Sequence, residues 1–230
     1  MASFKVATMV SIYKYLSAES FAQALIEKGQ LYLRSLAYFR GYEDGLVRGD
    51  PDDGKLHYQP EQGLTLTKSD GEIVTLPRGW RFRASVRAED IFVYCLSSER
   101  SEALAERFQS PFCVEINDAD ALLAKIKGSV RLRSGLDHRN VYRGPVDYRE
   151  LDTAPGAYWA LPEKIAFVKP PAWSWQTEYR LVVGRKGAFA VENVDLALEN
   201  SSANFAADST GDPLILAVGD LSRIAQLHRF

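Results

Sequence analysis

The sequence predicts one α+β domain whose sheets are mostly antiparallel, with a few helices packed on them. Two observations carry that expectation. Short apolar runs with period-two alternation recur along the whole chain, separated by Gly, Pro, Asp and Ser clusters, while helical periodicity is confined to a few stretches. In addition, no linker-like stretch is long enough to divide the 230 residues, and no internal repeat is present. The expected unit is therefore residues 1–230 around one core.

The elements follow in order. SIYKYL alternates as a strand, with Ile12, Lys14 and Leu16 on one side and Tyr13 and Tyr15 on the other. SAESFAQALIEKG reads as a helix, with Ser17 as N-cap, a stripe of Phe21, Leu25 and Ile26, and Gly29 as the stop. LYLRSLAYF reads as a second strand. From Gly41 to Gly63, Gly, Pro and acidic residues are too dense for a regular element, so a long mobile surface loop is expected at about 41–63. LTLTKSDGEIVTL forms a hairpin around Asp70-Gly71. Further strands are expected at WRFRASV, IFVYCLS, PFCVEI, VRLRS, NVYRGPVDYR, KIAFVK, EYRLVVG, LILAVG and IAQLHRF, and helices at SEALAERF and DADALLAKIK.

Composition narrows the function classes. With 46% hydrophobic and 25% charged residues, the chain is of ordinary globular type. A net charge of -2 and a pI of about 6.0 imply no global attraction to nucleic acid or to an anionic membrane. Cys95 and Cys113 sit inside apolar runs, as buried thiols in a reducing compartment do. No apolar run reaches the roughly 18 residues of a membrane span, and the opening MASFKVATMV lacks the layout of an export signal. No membrane contact and a cytoplasmic location are expected. His57, His138 and His228 are scattered, so no metal site is expected, and neither a GxSxG elbow, a Walker loop nor a GxGxxG turn is present.

What remains is one carboxylate. In TEYRLVV, Glu178, Arg180 and Val182 share a face, while Thr177, Tyr179, Leu181 and Val183 share the other. The apolar set is expected to pack, leaving Glu178 and Arg180 facing a groove or water. In the acidic loop, Asp50, Asp52 and Glu61 fall at the first, third and twelfth places of a calcium loop, but Lys55 stands where that loop needs Gly. Arg78, Arg81, Arg83 and Arg87 alternate with Trp80 and Phe82, a mixture that suits either single-stranded nucleic acid or a solvated strand face.

Taken together, IYKYLSAESFAQALIEKGQLYLRS, then VYCLSSE, then WQTEYRLVV, the order resembles a set of uncharacterised bacterial proteins with a late W-x-x-E-Y-R. More distantly it resembles the ADP-ribosyltransferase fold, in particular the DarT-type nucleic-acid modifiers. That resemblance implies an NAD-dependent ADP-ribosyltransferase or NAD-consuming effector of a toxin or phage-defence system, with NAD as substrate. It further implies a nucleic-acid or protein acceptor and a cognate neutralising partner. Glu178 would then stabilise the oxocarbenium-like centre as nicotinamide leaves, with Arg180 beside it. Arg48 would reach the pyrophosphate, Ser97 would support the glutamate or ribose, and Tyr13, Lys14 and Tyr15 would stand where the family uses His or Arg to hold NAD. Tyr13, Tyr15, Tyr32 or Trp175 would stack on a ring, with Trp173 and Trp175 walling the approach.

Two other readings stand beside it. One is a non-catalytic module on the same fold that binds nucleic acid or protein through its arginine-rich strands. The other is a metal-dependent nuclease that joins Asp44 or Asp50 to Glu178 and Arg180.

Overall fold

The computed structural model describes residues 11–41, 47, 49–200 and 211–230. Arg48, Glu43 and Asp44 lie outside the described residues. The opening follows the sequence: β1 (Ile12–Leu16), α1 (Glu19–Lys28) and β2 (Gln30–Ser35), with Gly29 left-handed at the helix end. Ala18 rather than Ser17 occupies the N-cap, and the helix buries Ala22 and Leu25 while Phe21 is exposed. The second strand stops early because the Ser35 hydroxyl accepts from the Tyr38 N–H and caps a short α2 (Leu36–Arg40).

Next come β3 (Lys55–Tyr58), the hairpin β4 (Leu64–Thr67) and β5 (Ile73–Leu76), β6 (Trp80–Ser85), β7 (Ile91–Ser97) and α3 (Glu102–Arg107). After them run β8 (Phe112–Ile116), α4 (Ala119–Arg131), β9 (Leu136–Pro145), β10 (Asp147–Tyr148) and α5 (Pro162–Ile165). The chain continues through β11 (Val168–Lys169), β12 (Glu178–Arg185), β13 (Asp195–Asn200), β14 (Leu214–Ala217) and β15 (Ala225–Arg229). Three expectations change. VRLRS is not a strand but begins in the last turn of α4, whose stripe Leu122, Ile126 and Val130 extends that far. KIAFVK divides into α5 and β11. The 41–63 stretch is not all loop: it holds β3, and Asp50, Asp53, Gly54 and Leu56 are buried.

An eight-stranded sheet runs β14-β2-β7-β1-β8-β15, with β12 paired to β7 and β9 to β12. A three-stranded sheet, β13-β6-β3, forms a second layer, and β10 and β11 make the short parallel pair. One core lies beneath α1 and α4 and holds Ile12, Leu33, Leu96, Val114, Ile126, Leu181 and Val183. The other, toward the second layer, holds Leu56, Ala84, Ile91, Val93, Ile165 and Val182. Both faces of β12 are therefore covered. No helix of the described residues is long and apolar enough to cross a membrane.

The pairing along β7 positions the site. One edge of β7 pairs with β12 over its whole length, from Gly184 opposite Ile91 to Glu178 opposite Ser97. On the other edge, β2 holds Phe92 and Val93, whereas β1 touches only at Ser97, opposite Tyr13. β1 instead pairs along its full length with β8. The sheet thus opens as a wedge between β1 and β2. In that wedge the Lys14 Nζ donates to the Cys95 carbonyl at 2.7 Å, covering a main-chain acceptor that a strand would otherwise take.

Candidate functional site

A cleft of about 290 Å³ fills this wedge. β1 contributes Tyr13, Lys14 and Tyr15, β2 contributes Tyr32 and Arg34, and β7 contributes Cys95 and Ser97. Tyr38, Phe39 and Phe108 add aromatic wall, and Lys169, Gln176 and Glu178 form the inner end. The structure therefore brings Tyr13, Lys14, Tyr15, Ser97 and Glu178 together, although strand alternation had divided the two tyrosines from Lys14. A cleft at an open sheet edge is lined by both sides of the strand that bounds it.

Glu178 is not on an exposed face. It is 4% exposed, and Arg180 is 0% exposed, because the second layer covers the face they share with Val182. Burial of this kind requires partners. Arg180 donates through Nε to Glu178 Oε1 at 2.7 Å, through Nη1 and Nη2 to both oxygens of Asp53 at 2.8 Å, and to the Ala166 carbonyl at 2.6 Å. Lys169 Nζ meets Glu178 Oε2 at 2.8 Å and donates to Gln176 Oε1 at 3.0 Å. Gln176 Nε2 in turn donates to the Val47 carbonyl at 2.9 Å, tying the acidic segment to the site.

Burial alone would push the Glu178 carboxyl up, but the Arg180 and Lys169 charges and their hydrogen bonds outweigh it and hold it well below the usual carboxylate range. Lys169 is the converse. Burial opposes its charge, yet the Glu178 carboxylate keeps its ammonium ion above the ordinary lysine range. The cleft thus presents a fixed anion unsuited to taking up a proton at neutral pH. Burial, reinforced by Glu178, raises the Cys95 thiol to about 12, so it stays protonated. Arg180 does not line the cleft; it acts on the site through Glu178.

The approach to Glu178 is built with unusual backbone. A 3-10 turn, Pro171–Gln176, ends at Thr177, which adopts φ 42 and ψ 44. The left-handed region costs a β-branched residue about 1–2 kcal/mol. Thr177 is clasped there: its hydroxyl lies 2.6 Å from Ser97 Oγ, and its carbonyl accepts from the Ser98 N–H at 2.8 Å. The turn lets Gln176 and Glu178 converge on one ammonium. The Ser97 hydroxyl thus engages Gln176 and Thr177, the two residues that lead into Glu178. The Tyr148 hydroxyl accepts from the Glu178 N–H at 2.9 Å.

The aromatic wall is continuous. Arg107 sits 3.6 Å above the Trp175 ring, Trp175 lies 5.1 Å from Phe108, and Phe108 lies 5.4 Å from Tyr15. The Tyr15 hydroxyl accepts from the Ser101 N–H at 2.9 Å, so it serves as wall, and burial lifts its pKa to about 12. Arg34 lies 4.3 Å over the Tyr38 ring, and among the described residues no carboxylate pairs with it. Its register partner on β7 is Val93, four residues from Ser97, or about 13 Å along the strand.

Sequence reasoning singles out Asp53 only as one acid of the 41–63 loop, and it missed Lys169, Gln176 and Arg34. Arg34 had a readable signal, being a cation that alternates with Leu31 and Leu33 on an early strand; Lys169 and Gln176 had none stronger than their residue type. Of the remaining sequence candidates, Arg81 and Arg83 do not form a free basic face, since Glu199 accepts from them at 2.8 and 2.9 Å. Among the described residues no three His, Cys, Asp or Glu side chains gather as a metal ion would need. Both oxygens of Glu178 already face cations. Comparison of the chain with protein-family models, curated proteins and solved structures found no match.

Proposed function

We propose that the cleft binds NAD and that Glu178 stabilises the cation formed as nicotinamide leaves, making the chain an ADP-ribosyltransferase or NAD-consuming enzyme. The observation that carries this reading is a permanently ionised carboxylate at the inner end of an aromatic cleft. When the glycosidic bond breaks, its electron pair goes to the nicotinamide nitrogen, which becomes neutral. Positive charge then develops on the ribose C1′ and ring oxygen. A preplaced anion lowers that barrier because its orientation is fixed before the reaction begins. An acceptor nucleophile or water adds at C1′ and gives up its proton to bulk solvent.

The remaining lining suits the rest of the ligand. Among the described lining residues Lys14, Arg34 and Lys169 outnumber the one carboxylate, so a ligand with a cationic ring and an anionic pyrophosphate finds both signs of charge. Arg34, displaced from Glu178 along β7, takes the part that the sequence assigned to Arg48. At about 290 Å³ the cleft is at the small end of ligand cavities and holds the nicotinamide ribose end. Such turnover harms its host unless restrained, which fits an effector with a neutralising partner.

The test is nicotinamide release from NAD by wild type and Glu178→Gln. The variant is expected to lose at least about a hundredfold in turnover. Turnover that survives the substitution would sink the assignment.

A further inference from the structure

Behind the Glu178 end lies a carboxylate that the proposed chemistry leaves unused. Asp50 is 1% exposed. Its Oδ1 accepts from the Asp52 N–H at 3.0 Å, and its Oδ2 is buried with no hydrogen-bond partner among the described residues. The charged groups around it come from every neighbouring element. Asp52 and Asp53 share its turn, and Lys169 of β11 and Arg180 of β12 act on it while both also pair with Glu178. Arg40 of α2 donates to the Asp53 and Gly54 carbonyls. Among the fully buried charged groups of the described residues around it, Lys169 and Arg180 are matched by Glu178 and Asp53, and Asp50 is the odd anion.

That imbalance has a direct consequence. With Asp50 protonated the buried cluster is neutral, and with Asp50 ionised it carries one negative charge. Burial, followed by the Asp53 charge, pushes the Asp50 carboxyl up to about 7, so both forms are populated near neutrality. A cation arriving beside Glu178 favours the ionised form and expels the proton. A neutral ring does not.

We propose that Asp50 carries the exchangeable proton of this site and thereby sets its preference for a positively charged ring, the pyridinium of oxidised nicotinamide over the uncharged ring of the reduced form. The inference rests on the NAD reading above. At an effective dielectric of about 20, a unit charge within about 12 Å changes an affinity by about tenfold or more, and a tenfold change is the effect expected here.

Calorimetric binding of NAD and of NADH to the full chain, from pH 5.5 to 8.5, tests it. In wild type the affinity ratio of NAD to NADH should rise about tenfold with pH and level off above the ionisation of Asp50. In Asp50→Asn it should be flat. Wild type titrated near pH 7 in two buffers of different ionisation enthalpy should release about 0.4 proton with NAD, the fraction a tenfold coupling implies, and none with NADH, a measurement that needs no variant. A ratio equally pH-dependent in Asp50→Asn, or no proton release, overturns the proposal. Absence of binding by either dinucleotide overturns its ligand clause together with the NAD reading. Urea unfolding of the unliganded proteins then decides the proton separately: wild type should lose stability relative to Asp50→Asn between pH 4 and 7, and a constant difference shows that Asp50 does not titrate.

Discussion

Arg180→Met is the substitution that asks most of the structure. Methionine fills much of the space but leaves two buried carboxylates, Asp53 without its bidentate partner and Glu178 with Lys169 alone. Breaking a buried ion pair from one side costs about 3–5 kcal/mol, because the remaining charge is stranded. With two acids affected and one still paired, the upper end of that range, about 5 kcal/mol, is expected. Unfolding entropy of about 2.1 cal/mol/K per residue over 230 residues converts this to a fall in Tm of about 10 °C.

The pH dependence separates charge from packing. In wild type Glu178 is held low, so its stabilising effect is present above its ordinary range and is lost only in strong acid. Without the guanidinium ion the Glu178 carboxyl loses its strongest charge partner and rises, and the protein is relieved as it takes up a proton. The cost of Arg180→Met, measured by urea unfolding with tryptophan fluorescence, should therefore shrink between pH 7 and pH 4.5. Adding Asp53→Asn should recover part of the loss at neutral pH. A deficit that stays constant with pH, or that Asp53→Asn deepens, would show that lost packing rather than stranded charge sets the cost.

Other consequences are simpler to check. Thr177→Gly removes the left-handed strain but also the hydroxyl near Ser97, so its stability should stay within about 1 kcal/mol of wild type; Thr177→Val keeps the strain, loses the bond and should cost about 2 kcal/mol by the same unfolding assay. Gly29→Ala should cost at least about 2 kcal/mol, since the helix stop has φ +58 and a Cβ there would meet the Gly219 carbonyl oxygen at 2.2 Å. Thermal melts would read that loss directly.

Much of the sheet was legible because turn residues bound its strands. IFVYCLS became β7 over its whole length, and Asp70-Gly71 marked a real hairpin. The shared face of Glu178 and Arg180 was equally legible, and their ion pair follows from it. Their burial was not. Alternation reports which side chains share a face, but not whether another layer lies on that face, and here the layer comes from β3, β6 and β13. Neither β3 nor β13 was expected. β3 hides in a Gly- and Pro-rich stretch, and β13 alternates Asp195, Ala197 and Glu199 with Leu196 and Leu198, a face that stays exposed. The VRLRS error has another cause: Val130 fits both a period-two strand and the stripe of α4. Nothing local could have paired Asp53 with Arg180 across 127 positions.

The wedge between β1 and β2 bears on how this architecture tolerates change. Much of the cleft exists because two strands part from β7, and Lys14 donates to a main-chain carbonyl in the gap. Substitution of the lining can therefore redraw the ligand preference without closing the opening. The positions least free to drift are the interlocked charges at its inner end, where losing one strands the others. Chains descended from a common ancestor with this one would share a sparse signature of Asp53, Lys169, Glu178 and Arg180, spread across distant segments, more readily than any continuous motif.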